Sequence, residues 1–162
     1  MGDLDVLMPI FDEARGTIAA LGIDQWQNGY PSRDVIADDI ARERSYAVVR
    51  DGIVGTFVIV DDGEPTYDNI YDGHWLTGDD NRGYIALHRV AVAVKSRGSG
   101  VPDEMMDFAA NYAKVHGFSS LRIDTHHENV VMRRMLEKQG FHPCGVIYLQ
   151  SGAARVAYEK VL

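Results

Sequence analysis

The sequence has one cysteine, no long apolar run and a shortage of basic residues. Cys144 stands alone among 162 residues, which excludes an internal disulfide and a cysteine-rich zinc site. No apolar run reaches the roughly 18 residues that span a bilayer, and the acidic N-terminus lacks the basic region of a signal peptide. Lys and Arg number 16 against 24 Asp and Glu, so a net charge of −8 makes nucleic acid a poor ligand. These absences predict a cytoplasmic protein with a small-molecule or protein partner.

The composition predicts one folded domain over residues 1–162, since 46% of the residues are hydrophobic. Charge is divided unevenly along this domain. Residues 1–81 carry 17 acidic and 5 basic side chains, a net charge of −12. Residues 82–162 carry 7 acidic and 11 basic side chains, a net charge of +4. We therefore expect the two halves to meet different ligands.

Hydrophobic periodicity predicts the element order α-α-β-β-β-α-β-α-β-β, which is an α/β domain with a mixed sheet. Ser32 has the chemistry of an N-cap, Asp51-Gly52 that of a hairpin turn, and Pro102 that of a first helical position. The predicted ranges are helices over 3–21, 32–43, 102–116 and 129–139 and strands over 46–50, 53–60, 84–94, 121–125, 141–149 and 156–161.

Residues 61–83 differ in composition from the strands around them, with 7 acidic side chains and three aromatic ones, Tyr67, Tyr71 and Trp75. A connection of this length inside a small domain is typical of a functional or mobile segment. A solvated loop held by one aromatic anchor is the alternative, and the residues alone leave both open.

The segment Arg97-Gly98-Ser99-Gly100-Val101 joins an apolar strand to a helix N-terminus. The first N–H groups of a helix lack intrahelical partners and glycines let a ligand approach the backbone, so this loop has the features of a phosphate cradle. Arg97 would add a charged donor. The loop is not a P-loop, because the sequence has no Gly-x-x-x-x-Gly-Lys-Ser/Thr pattern. It is not a dinucleotide fingerprint either, because Asp103 stands where the third glycine of that motif would be. A plain glycine-rich turn remains the alternative.

The same loop resembles the Gln/Arg-x-x-Gly-x-Gly/Ala motif of the GNAT superfamily of acyl-CoA-dependent N-acetyltransferases. The second motif of that family is an asparagine that leads a helix and a Gly-Phe that closes it. Asn129 and Gly140-Phe141 match that motif at the usual spacing. The resemblance covers nearly the whole chain.

The resemblance implies a mixed, mostly antiparallel sheet flanked by about four helices, with two splayed strands around the acyl-CoA. It also implies that loop amides hold the pyrophosphate, that the strand before the loop pairs with the pantetheine arm, and that an N–H there polarises the thioester carbonyl. By this likeness the cofactor-binding residues are Val90, Ala91, Val92, Arg97, Gly98, Ser99, Gly100, Val101, Asn129 and Arg133.

Three departures from the family pattern stand out. Pro102 replaces a glycine or alanine and removes one N–H from the cradle. Leu136 stands where many members carry a tyrosine that protonates the leaving thiolate, and Tyr148 is the substitute candidate for that catalytic role. The first strand of the family is missing, so either it is lost or the native start lies upstream of Met1. A lost strand would leave an open sheet edge, from which we expect a homodimer.

Acetyl transfer to an amine requires a group that accepts a proton, because an amine of pKa about 10.4 is protonated at neutral pH. His88, on the strand before the loop, is the leading candidate, and some amine-acetylating members place a histidine at that point. His126 and His127 are second choices. Adjacent histidines are not expected to face one ligand together, and no histidine spacing predicts a metal.

By family analogy the acceptor approaches from the N-terminal half, where Trp26, Tyr30 and Trp75 are the substrate-binding candidates. The acidity of that half favours a cationic amine, although surface acidity also serves solubility. The sequence thus predicts a transfer from acetyl-CoA to a primary amine of a small molecule by direct attack in a ternary complex, without metal. A catalytically inactive acyl-CoA sensor and an acetyltransferase of protein N-termini or lysines are the alternatives.

Overall fold

Within the residues that the structure describes, four helices and six strands follow one another in the predicted order. The structure is a computed structural model that describes residues 2–78 and 83–162. Most element ends differ from the prediction by one or two residues, because apolar spacing does not encode where the terminal turns fray. The helices are α1 (Gly2–Ala20), α2 (Arg33–Ala41), α3 (Val101–Val115) and α4 (Val130–Lys138), and the strands are β1 (Ser45–Arg50), β2 (Gly52–Val60), β3 (Tyr84–Val92), β4 (Ser120–Thr125), β5 (His142–Tyr148) and β6 (Ala154–Val161).

The six strands form one mixed sheet in the order β1-β2-β3-β4-β6-β5. β1 with β2, β4 with β6, and β5 with β6 pair antiparallel, whereas β3 and β4 pair parallel. The parallel register joins only Tyr84–Ala86 to Ser120–Arg122, although both strands continue beyond it. This early end of the pairing confirms the splayed strands and the mostly antiparallel sheet that the resemblance implies.

The described residues group into two compact units, one of residues 2–59 and 89–105 and the other of residues 60–78, 83–88 and 106–162. In the first unit, α1 buries an apolar stripe at helical spacing and runs through Pro9. Ser32 caps α2 by accepting a hydrogen bond from Val35 N at 3.3 Å, as its position predicts. The core of this unit comprises Leu4, Leu7, Ile10, Phe11, Ala14, Ile36, Ala91 and Ala93.

The second unit contains the part of segment 61–83 that the structure describes. Pro65–Tyr67 forms a 3-10 turn, and a single bridge pairs Tyr71 with Val146 of β5. Two aromatic side chains anchor this segment rather than one, since Tyr67 and Trp75 are both buried. Residues 79–82 of the segment lie outside the described residues. No helix within the described ranges is long and apolar enough to cross a bilayer.

Candidate active site

The glycine-rich loop lies in the first unit, directly before α3. Gly98 and Gly100 have φ of 74° and 82°, a left-handed conformation that glycine adopts without steric cost. A Cβ built on either residue would meet nothing within 4 Å, so the space beside the loop is open. The N–H groups of Gly98, Ser99 and Gly100 donate to no acceptor in the described part of the chain. The loop therefore fits an anionic group that accepts from backbone amides.

Arg50, at the end of β1, holds this loop from the hairpin side. Its guanidinium donates to the hydroxyl of Ser99 at 3.1 Å and to the carbonyl of Ser99 at 3.0 Å. It also pairs with Glu104 in the first turn of α3. The pair offsets a carboxylate that would otherwise repel phosphate at the helix N-terminus. Arg50 was not predictable from sequence, because no spacing pattern connects a hairpin residue to a loop some 50 positions later.

The remaining predicted cofactor residues of the first unit lie on β3 and in the loop. Ala91 is buried, whereas Val90 and Val92 are partly exposed. Val101 is buried and begins α3 one residue before Pro102. Arg97 is exposed, and its guanidinium donates to Thr17 Oγ1 of α1 at 2.8 Å. In this structure Arg97 thus braces the loop against α1, and its predicted contact with phosphate stays a prediction.

His88 lies in the second unit within a cluster of polar side chains. Its Nε2 is 2.9 Å from Oε2 of Glu64, and both side chains are less than one-fifth exposed. The Tyr67 ring packs against the imidazole with centroids 6.1 Å apart. The Tyr67 hydroxyl donates to Asp124 Oδ1 at 2.8 Å. Three groups distant in sequence thus surround the predicted base.

The pKa values of the two carboxylates in this cluster, Glu64 and Asp124, are shifted in opposite directions. Burial would raise the pKa of Glu64, but the hydrogen bond and charge of His88 and two bonds from Thr66 lower it to about 2. Burial raises the pKa of Asp124 above its ordinary value, although the charge of His88 and the bond from Tyr67 oppose this. Glu64 is therefore the firmly anionic neighbour of His88 at neutral pH.

Asn129 and Arg133 lie at the start of α4. Asn129 is the N-cap, and its Oδ1 accepts from Met132 N at 3.2 Å. Arg133 donates through Nε to the hydroxyl of Tyr158 at 2.9 Å and through Nη1 to the carbonyl of His127 at 3.0 Å. Both side chains have structural partners, and their predicted contact with the cofactor stays a prediction.

The two positions considered for a general acid differ in exposure. Leu136 is fully buried in α4 and contributes an apolar side chain to the core. Tyr148 is 48% exposed at the end of β5, with its ring edge against Tyr71 at a centroid distance of 5.2 Å. None of the described contacts joins Tyr148 to His88, so the structure does not assemble the two predicted catalytic residues into a bonded pair.

Two acceptor candidates lie close together in the first unit. The Trp26 and Tyr30 rings are tilted with centroids 6.3 Å apart, and both side chains are partly exposed. The Tyr30 hydroxyl accepts from Arg89 Nη1 at 2.5 Å, and Arg89 also pairs with Asp39 at 2.7 Å. Arg89 has φ of 53°, an uncommon value for a residue with a side chain. Arg89, itself paired with Asp39, thus holds the Tyr30 hydroxyl in place. The sequence did not predict this contact of Arg89.

Trp75 is not available to a substrate, which corrects its assignment as an acceptor-binding residue. The side chain is 2% exposed and Nε1 donates to the carbonyl of Tyr67 at 3.0 Å. The guanidinium of Arg122 lies 4.2 Å from the indole centroid. A buried cation over its ring makes Trp75 an anchor of the segment.

The rings of His126 and His127 lie side by side, whereas adjacent histidines were not expected to face one ligand together. Their rings stack with centroids 4.5 Å apart. With Glu128 they bring three ligand atoms within 4.8 Å of one another. Glu128 N donates to His126 Nδ1 at 3.2 Å, so that nitrogen already has a local partner. The expected absence of a metal stays a prediction.

Comparisons with known proteins agree with this geometry. Residues 14–141 match the acetyltransferase (GNAT) family, and no curated protein matches the chain. A GNAT family acetyltransferase from Streptococcus agalactiae 2603 has a TM-score of 0.86 at 36% identity, over 99% of this chain and 91% of that chain. The yncA protein of Salmonella typhimurium, solved with its cofactor acetyl-CoA, has a TM-score of 0.67 at 16% identity, over 99% and 89%. A ribosomal-protein-alanine N-acetyltransferase from Brucella melitensis has a TM-score of 0.70 at 17% identity, over 99% and 95%.

The chain belongs to the acetyltransferase (GNAT) family. Membership makes it an acyltransferase by class, and the family uses acetyl-CoA. The resemblance stated from the loop and the Asn…Gly-Phe motif is thereby confirmed. The two low-identity structures support the fold alone.

Proposed function

We propose that this protein is an N-acetyltransferase that moves the acetyl group of acetyl-CoA to a primary amine of a small molecule. The open glycine loop before α3 carries this proposal, since its amides and positive-φ glycines suit a pyrophosphate. Acetyl-CoA, when bound, supplies the thioester carbonyl that the amine attacks. One domain over 1–162, cytoplasmic location and pairing of a second copy at the β1 edge remain part of the same proposal.

The chemistry balances without a metal or a redox group. The amine nitrogen bonds to the carbonyl carbon, the carbon–sulfur bond breaks and CoA leaves as a thiolate. The proton lost by the amine passes to His88. A thiol has a pKa of roughly 8.5, so the thiolate can leave without a dedicated acid, and Tyr148 is the candidate if one acts. Trp26 and Tyr30 remain the proposed acceptor-binding residues, and Trp75 is withdrawn.

Acetyl-CoA is expected to raise the melting temperature of the purified protein, because a ligand that binds only the folded state stabilises it. Gly100→Val should abolish this rise. A β-branched residue at φ of 82° is strained and would push the amides out of their present directions.

Gly152→Val is the matched control, since Gly152 has φ of 84° and equally open surroundings in a turn of the second unit. This variant carries the same backbone strain and should keep the rise. A full rise in Gly100→Val would mean that the loop does not hold the cofactor.

A further inference from the structure

Glu64 lies in the acidic segment, directly before the 3-10 turn Pro65–Tyr67. Its Oε2 is 2.9 Å from His88 Nε2, which is buried and makes no hydrogen bond of regular geometry within the described residues, so this ion-pair contact is the polar contact that Nε2 has there. His88 Nδ1 makes no hydrogen bond to any residue of the ranges 2–78 and 83–162. The two ring nitrogens thus differ, with one facing a carboxylate and the other left for a further partner.

The carboxylate of Glu64 is itself held in place. Glu64 caps the 3-10 turn, and its Oε1 accepts from Thr66 N at 3.2 Å and from Thr66 Oγ1 at 2.8 Å. Its backbone N–H donates to the hydroxyl of Tyr84 at 3.2 Å, and Tyr84 lies on the same strand as His88. Three hydrogen bonds therefore hold Glu64 in place and leave its Oε2 beside the imidazole.

Two further groups face His88 and do not compete for this role. The Tyr67 ring packs against the imidazole, and the Tyr67 hydroxyl is donated to Asp124. Asp124 acts on His88 through its charge, without a direct bond among the described contacts. Burial raises the pKa of Asp124. The pKa of Glu64, in contrast, is lowered to about 2 by the contacts with His88 and Thr66. Glu64 is thus the anion at neutral pH and the carboxylate in contact with Nε2.

We propose that Glu64 is a positioning residue that binds the Nε2–H of His88 and leaves Nδ1 to take the proton of the amine. A carboxylate only accepts hydrogen bonds, so a neutral imidazole next to it must carry its proton on the nitrogen that faces it. The carboxylate also stabilises the imidazolium that forms when Nδ1 takes the proton. This inference rests on the proposed function and names the atom that accepts the proton.

The kinetic test compares Glu64→Gln with the wild type at saturating acetyl-CoA and amine. We expect kcat to fall about tenfold to hundredfold, less than the loss from removing a general base outright. The KM for acetyl-CoA and the melting-temperature rise should stay unchanged, because the polar partners of the Glu64 side chain and N–H among the described residues are Thr66, Tyr84 and His88. Asp72→Asn removes an exposed carboxylate from the same segment and should leave kcat unchanged. An unchanged kcat in Glu64→Gln would overturn the proposal.

A spectroscopic test does not depend on turnover. In ¹⁵N-labelled wild-type protein, the neutral His88 ring should show a downfield, slowly exchanging Nε2–H proton, identified by its loss in His88→Ala. The signal should vanish in Glu64→Ala and persist in Asp72→Asn. A neutral ring protonated at Nδ1, or a signal that survives Glu64→Ala, would contradict the proposal. If the signal behaves as expected but no amine is acetylated, the proposed function fails and the placement of His88 by Glu64 stands.

Discussion

His88→Ala is expected to lower kcat about a hundredfold to ten-thousandfold at neutral pH, the usual contribution of a positioned base. The acceptor amine is mostly protonated at that pH and needs a group that removes its proton. The loss should shrink as the pH rises toward about 10.4, because the free amine then forms without help. The measurement is a pH profile of kcat for both proteins, with acetyl-CoA saturating.

His74→Ala is the control, since His74 is an exposed histidine of the same unit. Its backbone N–H, which the substitution keeps, donates to the carbonyl of Cys144. This variant should keep the wild-type profile. The acetyl-CoA melting-temperature rise should survive in His88→Ala, which separates lost chemistry from lost folding. A kcat that falls equally at all pH values would exclude His88 as the base.

Glu159→Gln is expected to lower the free energy of unfolding by about 3 kcal/mol, since it leaves a buried cation without its anion. Glu159 and Arg122 are cross-strand partners on β6 and β4, and both side chains are 0% exposed. Arg122 Nε lies 2.9 Å from Glu159 Oε1, and its guanidinium carbon lies 4.2 Å from the Trp75 ring centroid and 4.1 Å from the Tyr84 ring centroid.

The Glu159 carboxylate also binds residues 76 and 77 of the acidic segment 61–83. It accepts from Leu76 N at 2.5 Å, from Thr77 Oγ1 at 2.6 Å and from Ser120 Oγ at 2.6 Å. Arg122 in turn donates to the carbonyl of Gly78 at 2.8 Å. The pair therefore anchors the segment to the sheet, and its loss should expose residues 75–78 to hydrogen exchange.

Denaturant unfolding of Glu159→Gln measures the effect, with the exposed Glu43→Gln as the control expected within about 0.5 kcal/mol of the wild type. Burial would raise the pKa of Glu159, but bonds from Ser120, Thr77 and Arg122 lower it. A lowered pKa stabilises the fold above the unfolded value of 4.5 and loses that effect as the pH falls through the folded value. The gap between wild type and Glu159→Gln should thus narrow below about pH 4.5. Equal stability at pH 7 would contradict the anchoring role.

Local signals in the sequence located the elements and the loop. Ser32, Asp51-Gly52 and the two loop glycines act through their own backbone or the next few residues, so short patterns predict them. The family motifs place Gly100 and Asn129 at a loop and an N-cap, and both positions are confirmed. Their contacts with a cofactor are a separate matter and stay predictions.

Partners distant in sequence could not be predicted in the same way. Glu64 meets His88 from an irregular segment 24 positions earlier, and no periodicity joins the two. Glu64 caps its own turn through Thr66, and that local contact does not indicate that His88 is a neighbour. The sequence alone does not separate a surface role from a core role for Trp75, because aromatic residues in loops serve both. Only the position of Arg122, 47 residues later, decides that it belongs to the core.

The division of charge along the chain has a physical counterpart in the described contacts. Several acidic side chains of the first half have cationic partners, such as Asp39 with Arg89 and Asp5 with Arg33. Net charge by halves therefore overstates the field that an amine would meet. The preference for a cationic acceptor remains an expectation that an amine series would test.

The most direct measurement is release of free CoA from acetyl-CoA across a panel of amines, with the acetylated product identified by mass. We predict release that depends on at least one small primary amine, that yields the amide and that falls in His88→Ala. Acetyl-CoA binding without amine-dependent release from any member of the panel would contradict it and would favour an acyl-CoA sensor. Release that occurs only with a peptide N-terminus or a lysine side chain would contradict the small-molecule acceptor.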